Sequence, residues 1–130
     1  MSEKIFVFGT LRKGQPRNYL LEKEKFLGYG FIEGFELYYI KNLFPGIVQG
    51  EGKVFGEVYE VSEDKLYQLD EVENVFKVKD VDVGLSKRAR VKVKLNNSEE
   101  IDAWCYIFIQ DLENSIKIES GDWLNFINQT

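Results

Sequence analysis

Histidine is absent from all 130 residues of the chain. Without an imidazole there is no Ser-His-Asp or Cys-His catalytic arrangement and no mixed Cys/His zinc site. An acid–base group in such a chain is a carboxylate, a lysine or a tyrosine. A single cysteine rules out an internal disulfide and fits a reducing compartment, so a cytoplasmic location is expected. Two prolines leave no room for a proline-rich linker. Positive charge is in the minority, 17 Lys and Arg against 22 Asp and Glu for a net charge of -5, which speaks against nucleic acid as a partner. No apolar run reaches the ~18 residues of a membrane-spanning helix. The opening Met1-Ser2-Glu3-Lys4 leads straight into an apolar strand pattern, unlike a signal peptide. No spaced Asp/Glu cluster of the calcium-loop kind is present either, so no metal site is expected.

What the chain does have is apolar and aromatic mass. Hydrophobic residues make up 44% of it, with ten Phe, seven Tyr and two Trp. That suffices for one core and one domain over residues 1–130, and it favours strands. Strands are predicted at 4–8, 25–40 (divided near Gly34, with bends at Gly28 and Gly30), 53–61, 77–83, 88–95 and 101–109. In the fifth of these, Ala89, Val91, Val93 and Leu95 alternate with Arg88, Arg90, Lys92 and Lys94, the basic residues forming a solvated face. Residues 42–52, with Pro45-Gly46 and Gly50-Glu51-Gly52, read as a loop. Arg17 to Glu22 reads as a short helical turn, and 121–128 as a short terminal helix. Ser62 is predicted to cap a helix running to about residue 72, with Glu63 and Asp64 in its first turn. The sum is an α+β domain whose mostly antiparallel sheet curls into a barrel with flanking short helices. Cys105, Trp104, Tyr106 and Trp123 are expected in the packing.

Two features carry chemistry. Glu73 lies seven residues after Leu66, on the apolar helix face that Leu66 and Leu69 mark, because two helical turns take about 7.2 residues. A carboxyl held on an apolar face is costly to ionise, so its pKa rises toward the range of a general base. The competing reading is a helix-end glutamate that meets a lysine or caps a turn. The second feature is the apolar strand that stops at Phe8-Gly9-Thr10-Leu11-Arg12-Lys13-Gly14. Amides at such a strand end can converge into an anion site, or Gly9 can serve a tight turn alone. Arg12, Lys13 and Arg17 either attract an anionic substrate or form a solvated edge.

Several segments in order resemble the gamma-glutamylcyclotransferase-like superfamily. They are Phe8-Gly9-Thr10-Leu11 with Asn18, Phe44-Pro45-Gly46, Val54-Phe55-Gly56-Glu57-Val58-Tyr59, Leu69-Asp70-x-x-Glu73, Ala103-Trp104-Cys105-Tyr106 and Ser120-Gly121-Asp122-Trp123. The resemblance implies a small barrel with a cavity at one end and a small-molecule partner bearing a gamma-glutamyl group. It implies that the glutamyl part lies against Phe8, Gly9, Thr10, Leu11, Arg12, Asn18 and Phe76, with Glu73 as the acid–base group. Cyclisation of that part to 5-oxoproline then releases an amine, with no cofactor and no metal. Phe8 and Phe76 stand where the family commonly has tyrosine, and Asn74 where it often has glycine. Lys79 stands in place of a nearby arginine, and the pocket is expected to be more apolar for these changes. A non-catalytic small-molecule-binding domain of the same fold is the alternative.

Overall fold

The computed structural model describes residues 2–129. Five strands close a barrel: β1 (Ser2–Val7), β2 (Lys25–Ile40), β3 (Phe44–Ser62), β6 (Ser86–Leu95) and β7 (Glu100–Phe108). Their order is β3-β1-β7-β6-β2, and β2 pairs back onto β3. All these pairings are antiparallel except β1 with β7, where Ile5 lies opposite Trp104. β2 and β3 are 16 and 19 residues long, and closure needs them to bend. They do so at register shifts between Phe26 and Gly28 and between Glu33 and Phe35. There Gly28 (φ 146°) and Gly34 (φ 86°) take backbone angles that a side chain resists.

Period-two alternation divides the apolar residues between two cores. Phe6, Ile32, Leu37, Ile47, Val54, Val58, Val91, Val93, Ala103 and Cys105 fill the barrel. Ile5, Val7, Leu21, Tyr59, Val61 and Tyr106 form the second core with Leu66 and Leu69 of α1 (Glu63–Val72). That helix starts where its sequence says, with the Ser62 hydroxyl accepting from the Lys65 amide at 3.0 Å. A 3-10 turn spans Asn18–Leu21. Asp122 caps the terminal helix α2 (Trp123–Ile127) by accepting from the Leu124 amide at 3.0 Å. The short β8 (Ile116–Lys117) adds to β2 opposite Tyr38 and Tyr39.

Three expectations are corrected. Residues 44–52 are strand: Ile40 to Phe35 pair with Phe44 to Gln49, so a continuous ladder overrides the local turn residues. The reversal is confined to Lys41-Asn42-Leu43, with Lys41 and Asn42 at positive φ (51° and 60°). Residues 77–83 are a hairpin, β4 (Lys77–Val78) and β5 (Val81–Asp82), with Lys79 and Asp80 at positive φ (50° and 66°) in its turn. Arg88 is not on a solvated face. Its side chain is 18% exposed, makes a two-pronged ion pair with Asp70 at 2.8 and 3.2 Å, and packs over the Trp104 ring.

Candidate active site

The strand end after β1, the C-terminus of α1 and the start of β6 meet around a cavity of about 120 Å³. Gly9, Thr10 and Leu11 form one wall. Their amides donate to no acceptor among the described residues, whereas three amides further along the loop are engaged: Arg12 to Gly9 O (3.0 Å), Lys13 to the Glu57 carboxylate (3.0 Å), Arg17 to Thr10 O (2.9 Å). Gly9 is required by close approach. A Cβ there would collide with the Pro45 ring, which lines the same cavity.

Glu73 faces this wall. Its amide closes the last turn of α1 on Leu69 O at 2.9 Å, and the chain then leaves through Asn74 at φ 58°, a conformation asparagine tolerates. Leu85 and Ser86 donate to Asn74 O (3.0 and 3.4 Å), tying this corner to β6. Glu73 is half-buried, with its carboxyl at the wall of the cavity. Burial pushes its pKa up to about 7, against a downward pull from the Arg17 guanidinium. Beside it, the Tyr106 hydroxyl donates to Asp70 Oδ1 at 2.7 Å. Burial, then Asp70, drives that phenol's pKa far upward, so it stays a neutral donor. Cys105 lies beneath in the core, its thiol pushed up by burial and by Glu73.

Phe8, Gly9, Thr10, Leu11 and Glu73 are thus brought together around the cavity, and three other expected site residues are not. Arg12 is 6% exposed and points away, to Glu57 Oε2 (2.9 Å) and Asp122 Oδ1 (3.0 Å). A buried guanidinium needs carboxylate partners, and these lie on β3 and at the cap of α2. Asn18 supports the loop from behind, donating to Leu11 O (2.8 Å) and the Tyr59 hydroxyl (3.3 Å). Phe76 is 51% exposed outside the cavity, carried out by the β4–β5 hairpin. Residues beyond the expected set also line the cavity, among them Arg17, Phe44, Pro45, Val72, Leu85 and Ser86. The basic character of Arg17 was a usable signal. The position of Leu85 and Ser86 depends on how β6 meets α1, which no local pattern encodes.

The family profile described as "Gamma-glutamyl cyclotransferase, AIG2-like" matches residues 5–125. The chain belongs to this family. The gamma-glutamylcyclotransferase family protein YtfP of Escherichia coli is 30% identical over 122 residues, covering 94% of this chain and 96% of that one. The protein PH0828 of Pyrococcus horikoshii is 44% identical over 72 residues, but that stretch is 55% of this chain and 60% of PH0828. Its crystal structure superposes with a TM-score of 0.72 at 29% identity, covering 96% and 92% of the two chains. An AIG2-like protein of Mus musculus, 24% identical, shares the fold with a TM-score of 0.70 over 86% of this chain and 80% of that one.

Proposed function

We propose that the protein is a gamma-glutamylcyclotransferase-type enzyme that cyclises the glutamyl part of a gamma-glutamyl amine, amide or peptide to 5-oxoproline and releases the amine. The observation that carries this reading is the placement of one carboxyl, Glu73, and the unengaged amides of Gly9, Thr10 and Leu11 around one cavity. Glu73 takes a proton from the substrate's α-ammonium. The freed nitrogen attacks the γ-carbonyl carbon, and negative charge grows on its oxygen, where loop amides stabilise it. Glu73 then gives the proton to the departing nitrogen as the original C–N bond breaks, and the ring nitrogen's second proton passes through the freed carboxylate to the released amine, which leaves as an ammonium and returns Glu73 to its ionised form. One group serves both transfers, so the lack of histidine is no obstacle. The attack is intramolecular, and holding the substrate folded removes much of the entropic barrier. A pKa near 7 suits a group that must both accept and return a proton at neutral pH.

The test is release of 5-oxoproline from a panel of gamma-glutamyl amines, gamma-glutamyl amino acids, gamma-glutamyl-ε-lysine and glutathione, with Glu73→Gln alongside. Turnover that the variant loses while still folding and binding is the expected result. Full turnover by Glu73→Gln would remove Glu73 from the mechanism. Ligand binding without turnover by the native protein would favour a binding domain of the same fold.

A further inference from the structure

Two charged side chains line the cavity, Glu73 and Arg17. Arg17 forms no ion pair with any described residue. The loop's other basic groups are occupied: Arg12 by Glu57 and Asp122, and the Lys13 ammonium by the Phe26 ring, 3.5 Å from its centroid. The Arg17 backbone is fixed, since its amide donates to Thr10 O at 2.9 Å, which places it next to the amide wall. Its guanidinium shares the cavity with Glu73 and pulls that carboxyl's pKa downward.

An α-amino acid head carries its ammonium and its carboxylate on one carbon. A pocket that reads such a head needs an anion and a cation near each other, and that is what these two residues supply. The rest of the described lining mixes apolar residues such as Phe44, Pro45, Val72 and Leu85 with the neutral polar Asn74 and Ser86, and offers no second cation for a carboxylate on the leaving group. We propose that Arg17 is a specificity-determining residue that receives the α-carboxylate of the substrate's glutamyl head while Glu73 takes the ammonium. This rests on the cyclisation reading and goes beyond it by naming which charge the pocket selects and where. It leaves the Gly9–Leu11 amides free for the reacting carbonyl oxygen.

Three substrates separate the possibilities. The N-butyl amide of γ-linked glutamate carries only the α-carboxylate, γ-glutamylalanine carries one on each side, and N-butyl 4-aminobutanamide carries none yet can close to the unsubstituted lactam. Loss of a charge-assisted, two-pronged contact is expected to raise KM about 10- to 100-fold in Arg17→Gln on the first two substrates, with kcat little changed. The third should be a poor substrate that Arg17→Gln makes no worse. Arg17→Lys should recover part of the loss, since an ammonium keeps the charge without the fork. The pH profile supplies a readout that a merely structural role would not move: without the Arg17 cation, the ionisation that limits kcat/KM should shift upward from about 7. Unchanged KM on the first substrate would overturn the proposal, as would a loss confined to γ-glutamylalanine, which would assign Arg17 to the leaving group. Absence of lactam from every substrate would count against the cyclisation reading instead. Calorimetry then decides for Arg17: the first substrate binding the native protein but not Arg17→Gln supports the inference, and equal binding overturns it.

Discussion

At the scale of single residues, Glu73 makes a pH prediction whose sign is fixed. A base must be ionised to accept a proton, so kcat/KM should rise about tenfold per pH unit below about 7 and level off above it. The same shift bears on stability. The folded-state pKa is raised above the ordinary 4.5 to about 7, so between those values the native state holds a proton that the unfolded chain has lost. Stability from this group is therefore fully present below pH 4.5 and is lost as pH rises through 7. Glu73→Gln removes that loss. The variant should match the native protein at pH 4 and exceed it at pH 8 by on the order of 2 kcal/mol, a figure already reduced for the residue's partial opening to the cavity. Urea unfolding at the two pH values reads the difference. A gap of the same size at both would mean that burial of this carboxyl does not act through its ionisation.

At the scale of elements, the site depends on how the β1 loop seats against β3. Gly9→Ala drives a methyl into the Pro45 ring, so it should destabilise by about 1–3 kcal/mol and lower turnover by moving the amide wall. Pro45→Ala removes the colliding ring atom. The double variant should be markedly more stable than the two single effects summed, and additivity in urea melts would show that the loop yields without touching Pro45. Helix α1 presents Glu73, and its Ser62 cap is worth about 1 kcal/mol, the loss expected for Ser62→Ala. These elements differ in how far the sequence announces them. The 66-69-73 spacing placed Glu73 on the buried face of α1 because helical period is local, and the alternation of β6 was readable through Val91, Val93 and Leu95 for the same reason. Residues 44–49 were not readable as strand, since Pro45 and Gly46 are turn residues that only pairing with β2 holds extended. Phe76 left the expected site because Lys79 and Asp80 turn the chain with neither asparagine nor glycine to signal it. Arg88 left its expected solvated face because Asp70, 18 residues away, pairs with it.

At the scale of the whole molecule, one buried network joins parts of the chain far apart in sequence. Glu57 is fully buried on β3 and accepts from Arg12 Nε (2.9 Å), the Lys13 amide (3.0 Å) and the Tyr59 hydroxyl (3.0 Å). Burial and the neighbouring Glu57 carboxylate raise the Tyr59 pKa to about 12, although its bond from Asn18 pulls the other way, so the phenol remains a donor at neutral pH. Arg12 reaches on to Asp122, 110 residues away, at the cap of α2. Separations of this length escape any local reading, which is why Arg12 looked like a substrate contact from sequence. In the structure it is the pin that fixes the amide loop against the barrel and the C-terminal helix. Glu57→Leu leaves the buried guanidinium with Asp122 as its one carboxylate partner and takes the acceptor from an amide and a hydroxyl, and Arg12→Leu strands a buried carboxylate, so each alone should cost about 3–5 kcal/mol. The double variant Arg12→Leu/Glu57→Leu removes both charges and should be far less unstable than their sum. It should still lose turnover, because the loop that carries Gly9, Thr10 and Leu11 is no longer tied at Lys13. A stable double variant with native kcat/KM would show that the network serves stability alone, whereas recovered stability with depressed turnover would show that the ion pair sets the geometry of the loop.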